Sequence, residues 1–185
     1  MNDLLYEVIV TDKHGKVIDR EAGVSRSWLV AYNKGLMGTF SGSAQTIVDI
    51  GGVGRTQDIT YSFFSSQGLA NYDNYGAVIG TGNTAVTVSD YKLDAQIGHG
   101  TGAGQMLYLA GSVSSPTVSA SASSFTNTRQ FINVSGDSIT VREIGIYGYI
   151  KSPYYGCYVR DVLGAAKVIP DGGAMTVIYT ISHEE

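Results

Sequence analysis

Short runs of alternating apolar and polar residues, separated by glycine-rich turns, are the feature of this sequence that most constrains its fold. In the clearest run, after a Pro/Asp/Gly/Gly turn at 170–173, four apolar residues share one face: Met175, Val177, Tyr179 and Ile181. A period of two residues is that of a half-buried β-strand. With 24 glycines and 3 prolines in 185 residues, the chain has many positions for tight turns. The pattern predicts a mainly β protein.

The spacing of these runs predicts a β-sandwich or jelly-roll-like domain, because short strands with turns every 8–12 residues are typical of such folds. We expect a single domain over 1–185, with an N-terminal hairpin at 1–23, a helix at 25–41 and the sandwich at 44–182. A change of parity between Val118 and Phe125 predicts a bulge near Ser123 and Ser124. Further strands are predicted at 4–10, 16–21, 44–50, 59–63 (with Ile59, Tyr61 and Phe63 on one face), 76–80, 85–91, 106–113, 117–122, 138–150 and 155–163.

The period changes to that of a helix after the N-terminal hairpin. Ser25 or Ser27 can cap this helix, and Gly42 is a suitable end. The apolar residues at spacings of three to four are Trp28, Leu29, Tyr32, Leu36 and Phe40. The sequence therefore predicts one amphipathic helix near the N-terminus. Gly35 and Gly38 weaken it, so packing must stabilise it.

Composition and charge exclude several classes of function. The net charge of −4 and the absence of a Lys/Arg cluster argue against a nucleic-acid partner. No apolar run approaches 20 residues and the N-terminus has no basic segment, so we expect no membrane span, no signal peptide and assembly in the cytoplasm. The single Cys157 is expected to be a small buried hydrophobic residue.

No familiar catalytic or metal-binding motif is present. His14, His99 and His183 lie far from one another in the sequence, and none of them is at metal-ligand spacing from another His, Cys or carboxylate. The glycine-rich segments 80–82 and 98–104 lead into strand-like sequence, whereas a phosphate-binding loop leads into a helix. We therefore expect no cofactor, no metal and no enzymatic activity.

Glu143 and Arg160 lie in neighbouring strand-like segments and predict a partly buried structural ion pair, since buried charges require partners. The alternative is a small hydrolase, in which Glu143, Asp161 or His99 would converge on a cleft.

Tyrosines are more numerous than a core needs, with 13 in the chain. Tyrosine is enriched at interfaces because it combines apolar area with a hydroxyl group. The predicted interface residues are Tyr72, Tyr75, His99, Tyr154 and Tyr155. Tyr72 and Tyr75, in a loop at 65–75, are the stronger candidates.

The order of several motifs resembles that of a group of small tailed-bacteriophage proteins. The motifs are SRSW at 25–28, YGAVIGTGNTAV at 75–86, DYKL at 90–93, GAGQMLY at 102–108, VREIGIY at 141–147, RDVL at 160–163 and MTVIYTI at 175–181. The similarity spans about residues 25–182. It implies a structural protein of the virion, in the head or the tail, that contacts other virion proteins and forms a homo-oligomer. The alternative is a binding module at a tail tip or fibre that recognises a host-surface glycan or receptor.

Overall fold

The computed structural model of the protein describes residues 2–25, 27–59 and 65–184. The structure is 51% strand and 7% helix, which confirms the predicted mainly β fold with one short helix near the N-terminus. The elements in chain order are β1 (Asn2–Thr11), β2 (Val17–Ser25), α1 (Val30–Ser41), β3 (Thr46–Val48), β4 (Gly54–Thr56), β5 (Gly76–Gly80), β6 (Leu107–Tyr108), β7 (Ser112–Val113), β8 (Thr117–Val118), β9 (Ala122–Ile132), β10 (Ile139–Lys151), β11 (Tyr154–Ile169) and β12 (Ala174–Glu184).

The strands form two larger antiparallel sheets and a small hairpin. Sheet A has the order β2-β1-β12-β9-β6, with β7 and β8 also paired to β9. Sheet B has the order β11-β10-β5, and β3 pairs with β4. The N-terminal hairpin belongs to sheet A, because β1 pairs with β12 along its whole length, from Asn2 opposite His183 to Thr11 opposite Ala174.

The two sheets pack face to face in a sandwich-like arrangement. The predicted apolar face of β12 is buried at Met175, Val177 and Tyr179. The Tyr179 hydroxyl donates to Asp161 Oδ2 of β11 at 3.0 Å, which connects the two sheets. The buried core contains residues of both sheets, among them Leu4, Val8, Val10, Phe131, Ile144, Ile146 and Val159. Cys157 is buried in this core, as expected.

Helix α1 begins at Val30, five residues later than predicted. The Leu29 N–H donates to the Tyr158 carbonyl at 2.9 Å, and Trp28 forms a β-bridge with Val159. These contacts keep the preceding segment extended along β11. The N-cap residue is Leu29 and no side chain caps the helix, so the predicted cap by Ser25 or Ser27 is wrong. The predicted end is confirmed, since Gly42 is in the left-handed conformation with φ of 66°.

Helix α1 also faces the core in an unexpected orientation. Its buried residues are small: Ala31, Gly35 and Gly38. Phe40, at the end of the predicted apolar stripe, is 84% exposed. The glycines that weaken the helix thus form its close-packed face, and the large apolar residues are left at the side of the helix.

The strand predicted at 85–91 and the bulge predicted near Ser123 and Ser124 are both wrong. Residues 85–91 are irregular, because the segment folds into a turn in which the Asp90 N–H donates to the Thr87 carbonyl at 3.1 Å. The bulge expected near Ser123 and Ser124 is absent, and β9 pairs with β12 without interruption from residue 122 to residue 132. The predicted strand at 117–122 is divided, with β8 ending at Val118 and β9 beginning at Ala122. For the strand predicted at 59–63, Tyr61 and Phe63 lie outside the described residues.

Candidate functional site

Glu143 of β10 and Arg160 of β11 form the ion pair that the sequence predicts. Arg160 Nε donates to Glu143 Oε2 at 2.8 Å, and both side chains are almost completely buried. The guanidinium also donates through Nη1 to Asp90 Oδ2 at 2.7 Å and through Nη2 to the Thr84 carbonyl at 3.1 Å. Arg160 therefore connects sheet B to the irregular loop at 81–95.

The same loop binds the Glu143 carboxylate through its backbone. The N–H groups of Gly82 and Ala95 donate to Oε1 at 3.1 and 2.8 Å, and that of Asp94 donates to Oε2 at 3.1 Å. A Cβ at Gly82 would lie 2.5 Å from Glu143 Oε1. The absence of a side chain at Gly82 thus allows the backbone to approach the Glu143 carboxylate closely. Other glycine-rich loops bind phosphate by the same close approach of backbone N–H groups.

Asp161 faces away from this network. Because side chains alternate along a strand, Asp161 lies on the opposite face of sheet B from Arg160 and its partner Glu143. Its carboxylate accepts hydrogen bonds from the Ser27 hydroxyl at 2.8 Å and the Tyr179 hydroxyl at 3.0 Å. Burial raises the pKa of the Asp161 carboxyl above its ordinary value of 3.8, although the hydroxyl hydrogen bonds oppose this rise.

His99 forms a third, separate set of contacts. Its backbone N–H donates to Asp73 Oδ2 at 2.8 Å, and its Nδ1 accepts the Tyr108 N–H at 3.1 Å. These bonds fix the glycine-rich loop at 98–104. Glu143, Asp161 and His99 thus have separate sets of partners, and the structure does not assemble them into the cleft that a hydrolase would need.

Arg129 is a buried charge that the sequence analysis missed. Its side chain lies on the inner face of β9, with the residue 1% exposed, and donates to five backbone carbonyl groups. Those carbonyls belong to Leu69, Tyr72, Tyr75, Ala77 and Leu109, at 2.6–3.0 Å. Burial lowers the pKa of Arg129 to about 10, so the guanidinium remains protonated at neutral pH. The sequence does contain a signal for this site: in an alternating strand, a charged residue stands at a position that belongs to the buried face.

The predicted interface tyrosines differ in exposure. Tyr72 is 49% exposed, in a loop whose backbone Arg129 binds. Tyr75 and Tyr155 are half-buried with ring centroids 5.3 Å apart. The Arg55 guanidinium lies 3.6 Å from the ring centroid of Tyr154. Tyr72 is therefore the most accessible of these side chains, and the others make ring contacts within the fold.

An apolar groove opens between the two sheets beside α1. Its volume is about 520 Å³, within the range of small-ligand sites. Its walls come from both sheets, the helix and the loop after residue 64, and consist of Trp28, Tyr32, Leu36, Ser65, Ser66, Gln67, Val113, Phe125, Asn127, Ile146, Tyr158 and Ile181. The groove could not be predicted because its residues come from seven separate stretches of the chain.

One lining residue carries an unsatisfied polar atom. Asn127 is 2% exposed, and its Nδ2 donates to the carbonyl and the hydroxyl of Ser66 at 2.9 and 3.1 Å. Its Oδ1 is buried and has no hydrogen-bond partner among the described residues, as is also true of Ser25 Oγ, Gln57 Oε1 and Asn74 Oδ1. Such an atom is rare in folded proteins and calls for an explanation.

The described residues contain no group of three or more His, Cys, Asp or Glu side chains that could hold a metal ion. No helix in the part of the chain that the structure describes is long and apolar enough to cross a membrane.

Comparison with known proteins finds no matching family model, no similar curated protein and no similar solved structure.

Proposed function

We propose that this protein is a structural component of a tailed-phage virion, a head or tail accessory protein that acts through contacts with neighbouring subunits in a symmetric assembly. In this proposal it assembles in the host cytoplasm, contacts other virion proteins and forms a homo-oligomer. The motif order along residues 25–182 supports the phage context.

The observation that carries the proposal is the amount of large apolar surface on separate parts of the molecule. Among the described residues, three large apolar side chains are each more than two-thirds exposed: Phe40 at the end of α1, Val88 in the loop at 81–95 and Val118 in β8. Charged residues make up only 15% of the chain, against about 25% in ordinary domains. A neighbouring subunit that covered these side chains would be favoured, because removing apolar surface from water lowers the free energy. Its distribution over separate elements favours a subunit with several neighbours.

The test is the molar mass of the purified chain, measured by light scattering across a concentration series. We expect a closed oligomer such as a trimer, pentamer or hexamer, and Val118→Lys or Phe40→Ser should weaken it. Arg142→Lys, a conservative change at an exposed position, is the control for general effects of substitution.

Incorporation into particles provides the second measurement. Phage particles from cells that produce the tagged chain should contain it at a fixed ratio to the major capsid protein. A chain that remains monomeric at all concentrations and is absent from purified particles would overturn the proposal.

The groove favours one second candidate, a tail-tip or fibre module that recognises a host glycan or receptor. Aromatic walls with a few polar groups are common in binding sites. Binding of soaked oligosaccharides, without oligomer formation, would support this alternative.

A further inference from the structure

Strand β2 forms a long edge of sheet A to which no other described segment is paired. The other long edges are covered by the chain itself. The Leu29 N–H donates to the Tyr158 carbonyl on the outer side of β11 at 2.9 Å, and the Ile97 N–H donates to the Ile79 carbonyl on the outer side of β5 at 3.0 Å. The short strands β6, β7 and β8 cover β9. Among the described residues, β2 forms backbone hydrogen bonds with β1 alone.

The exposure of β2 agrees with an open edge. Residues 17–24 are all at least partly exposed, and the side chains of Val17, Ile18 and Val24 are 53%, 48% and 55% exposed. Because β1 pairs with one side of β2, alternate residues of β2 direct their N–H and C=O groups away from the sheet. A row of such groups is a template on which another strand can pair.

The edge also lacks the usual protection against pairing. Proteins protect open edges with prolines and with charged side chains that repel a second strand, and β2 contains no proline. Its charged side chains already have partners of opposite charge. Arg20 forms an ion pair with Glu7, and Asp19 and Glu21 lie 3.2 and 3.0 Å from the Lys167 ammonium group. The charges of β2 are thus balanced within the chain.

We propose that two copies of this chain pair through β2, antiparallel and about a two-fold axis, so that sheet A continues from one copy into the other. Because the long open edge of each chain is β2 itself, the pairing closes after two copies. This inference rests on the proposed function and names one subunit contact of the assembly. It favours closed oligomers with an even number of chains, such as a hexamer.

Charge selects the register of this pairing. In a two-fold antiparallel pair, one residue lies on the axis, opposite its own copy. An axis at Arg20 or Glu21 would place like charges directly opposite each other, which is destabilising. Ala22 is the middle of the part of β2 that pairs regularly with β1, residues 19–25, so an axis there pairs this whole part with its copy. The facing pairs are then Asp19 with Ser25, Arg20 with Val24 and Glu21 with Gly23.

The first experiment traps the pair with a disulfide. In this register Ala22→Cys brings two thiol groups together across the axis, at a Cα separation of about 5 Å that a disulfide spans. The matched control is Val24→Cys, at an exposed position on the same face of β2, where the two thiol groups would lie about 14 Å apart. Cys157 is buried and does not compete.

Covalent dimers are measured by electrophoresis without reductant after oxidation of the purified chains. We expect Ala22→Cys to form them at least about tenfold faster than Val24→Cys, because only the first pair meets the geometry of a disulfide. Equal rates for the two variants would overturn the proposal. Trapping suits this contact because a pair of strands is small by the standard of stable interfaces.

The second experiment places charge on the axis. Ala22 is exposed, so Ala22→Lys and Ala22→Glu should both fold, and each should weaken self-association about fivefold through like charges. A mixture of the two variants should associate more tightly than either alone, since opposite charges then face each other. Light scattering measures all three samples. Val53→Lys, at an exposed position between β3 and β4, is the control and should leave self-association unchanged. A mixture that associates no more tightly than the separate variants would refute the axis at Ala22.

These outcomes are separate from those of the proposed function. A chain that is present in particles, and in which Ala22→Cys and Val24→Cys cross-link at equal rates, refutes the β2 contact alone. A chain that cross-links through Ala22→Cys as expected and is absent from particles refutes the virion role alone.

Discussion

Single buried charges fix the long loops of this protein. Arg129 binds the carbonyl groups of the loop at 65–75, and Glu143 binds the N–H groups of the loop at 81–95. The hydrogen bonds replace the water that each buried charge has lost, and they also pair backbone groups that would otherwise need water. At the residue scale, order in the loops depends on a few side chains of sheets A and B.

Arg129→Lys is expected to destabilise the protein by about 3 kcal/mol, because one ammonium group cannot reach carbonyls that five N–H donors reach in a planar fork. Urea unfolding measures the loss, and hydrogen exchange should increase at Leu69–Tyr75. The control is Arg142→Lys, an exposed position that should change stability by less than about 0.5 kcal/mol. Equal effects at the two positions would show that the carbonyl contacts contribute nothing specific.

Asp161 predicts a pH dependence of stability. Its pKa in the folded state is above the ordinary value of 3.8, so the folded protein retains this proton to higher pH than the unfolded chain does. The group therefore lowers stability as pH rises from about 4 through its folded-state pKa.

Asp161→Asn removes that titration. The difference in unfolding free energy between the variant and the wild type, measured by urea denaturation, should shift in favour of the variant between pH 4 and pH 7. A difference that is constant over this range would show that burial does not perturb the carboxyl.

At the element scale, the sequence indicates the strands more reliably than the helix. The alternation at 175–181 matches the burial of β12, because a period of two fixes which side chains face the partner sheet. The stripe of α1 predicts the wrong buried face, since Ala31, Gly35 and Gly38 allow a closer approach than large side chains do. Nothing local to the sequence distinguishes a glycine that weakens a helix from one on which another chain segment packs.

Gly38→Ala tests this packing. In an exposed helix the change adds about 1 kcal/mol of stability. Here the new Cβ would lie 2.0 Å from Gln57 Oε1, and Gln57 is buried and donates to the Gly35 carbonyl at 3.0 Å. We expect a loss of about 1–3 kcal/mol, as for other overpacked sites.

The matched control is Asn33→Ala on the exposed side of α1, which should be neutral or slightly stabilising. The loss at Gly38 should be smaller when Gln57 is replaced by the shorter Asn. Stabilisation by Gly38→Ala alone would contradict the close packing of the small face.

At the scale of the whole molecule, pairing between the chain termini joins the N-terminal hairpin to the rest of the fold. The sequence predicts the hairpin itself from its turn, but its place in sheet A depends on β12, more than 160 residues away. The groove is equally non-local, because it forms only where the helix and both sheets meet. Long-range pairing of this kind cannot be read from local periodicity.

Val8→Ala tests whether the hairpin and the remaining structure unfold as one unit. Val8 is fully buried between the sheets, so its truncation should cost about 2–3 kcal/mol, while Val24→Ala, on the exposed side of β2, should cost little. Trp28 lies three residues after the end of β2, and its fluorescence reports on the region between α1 and β11, where it forms a β-bridge with Val159. If the termini are coupled, Val8→Ala must lower the urea midpoint seen by Trp28 as much as the midpoint seen by far-ultraviolet circular dichroism. A Trp28 midpoint that stays at the wild-type value while circular dichroism shows an earlier transition would mean that the hairpin unfolds independently.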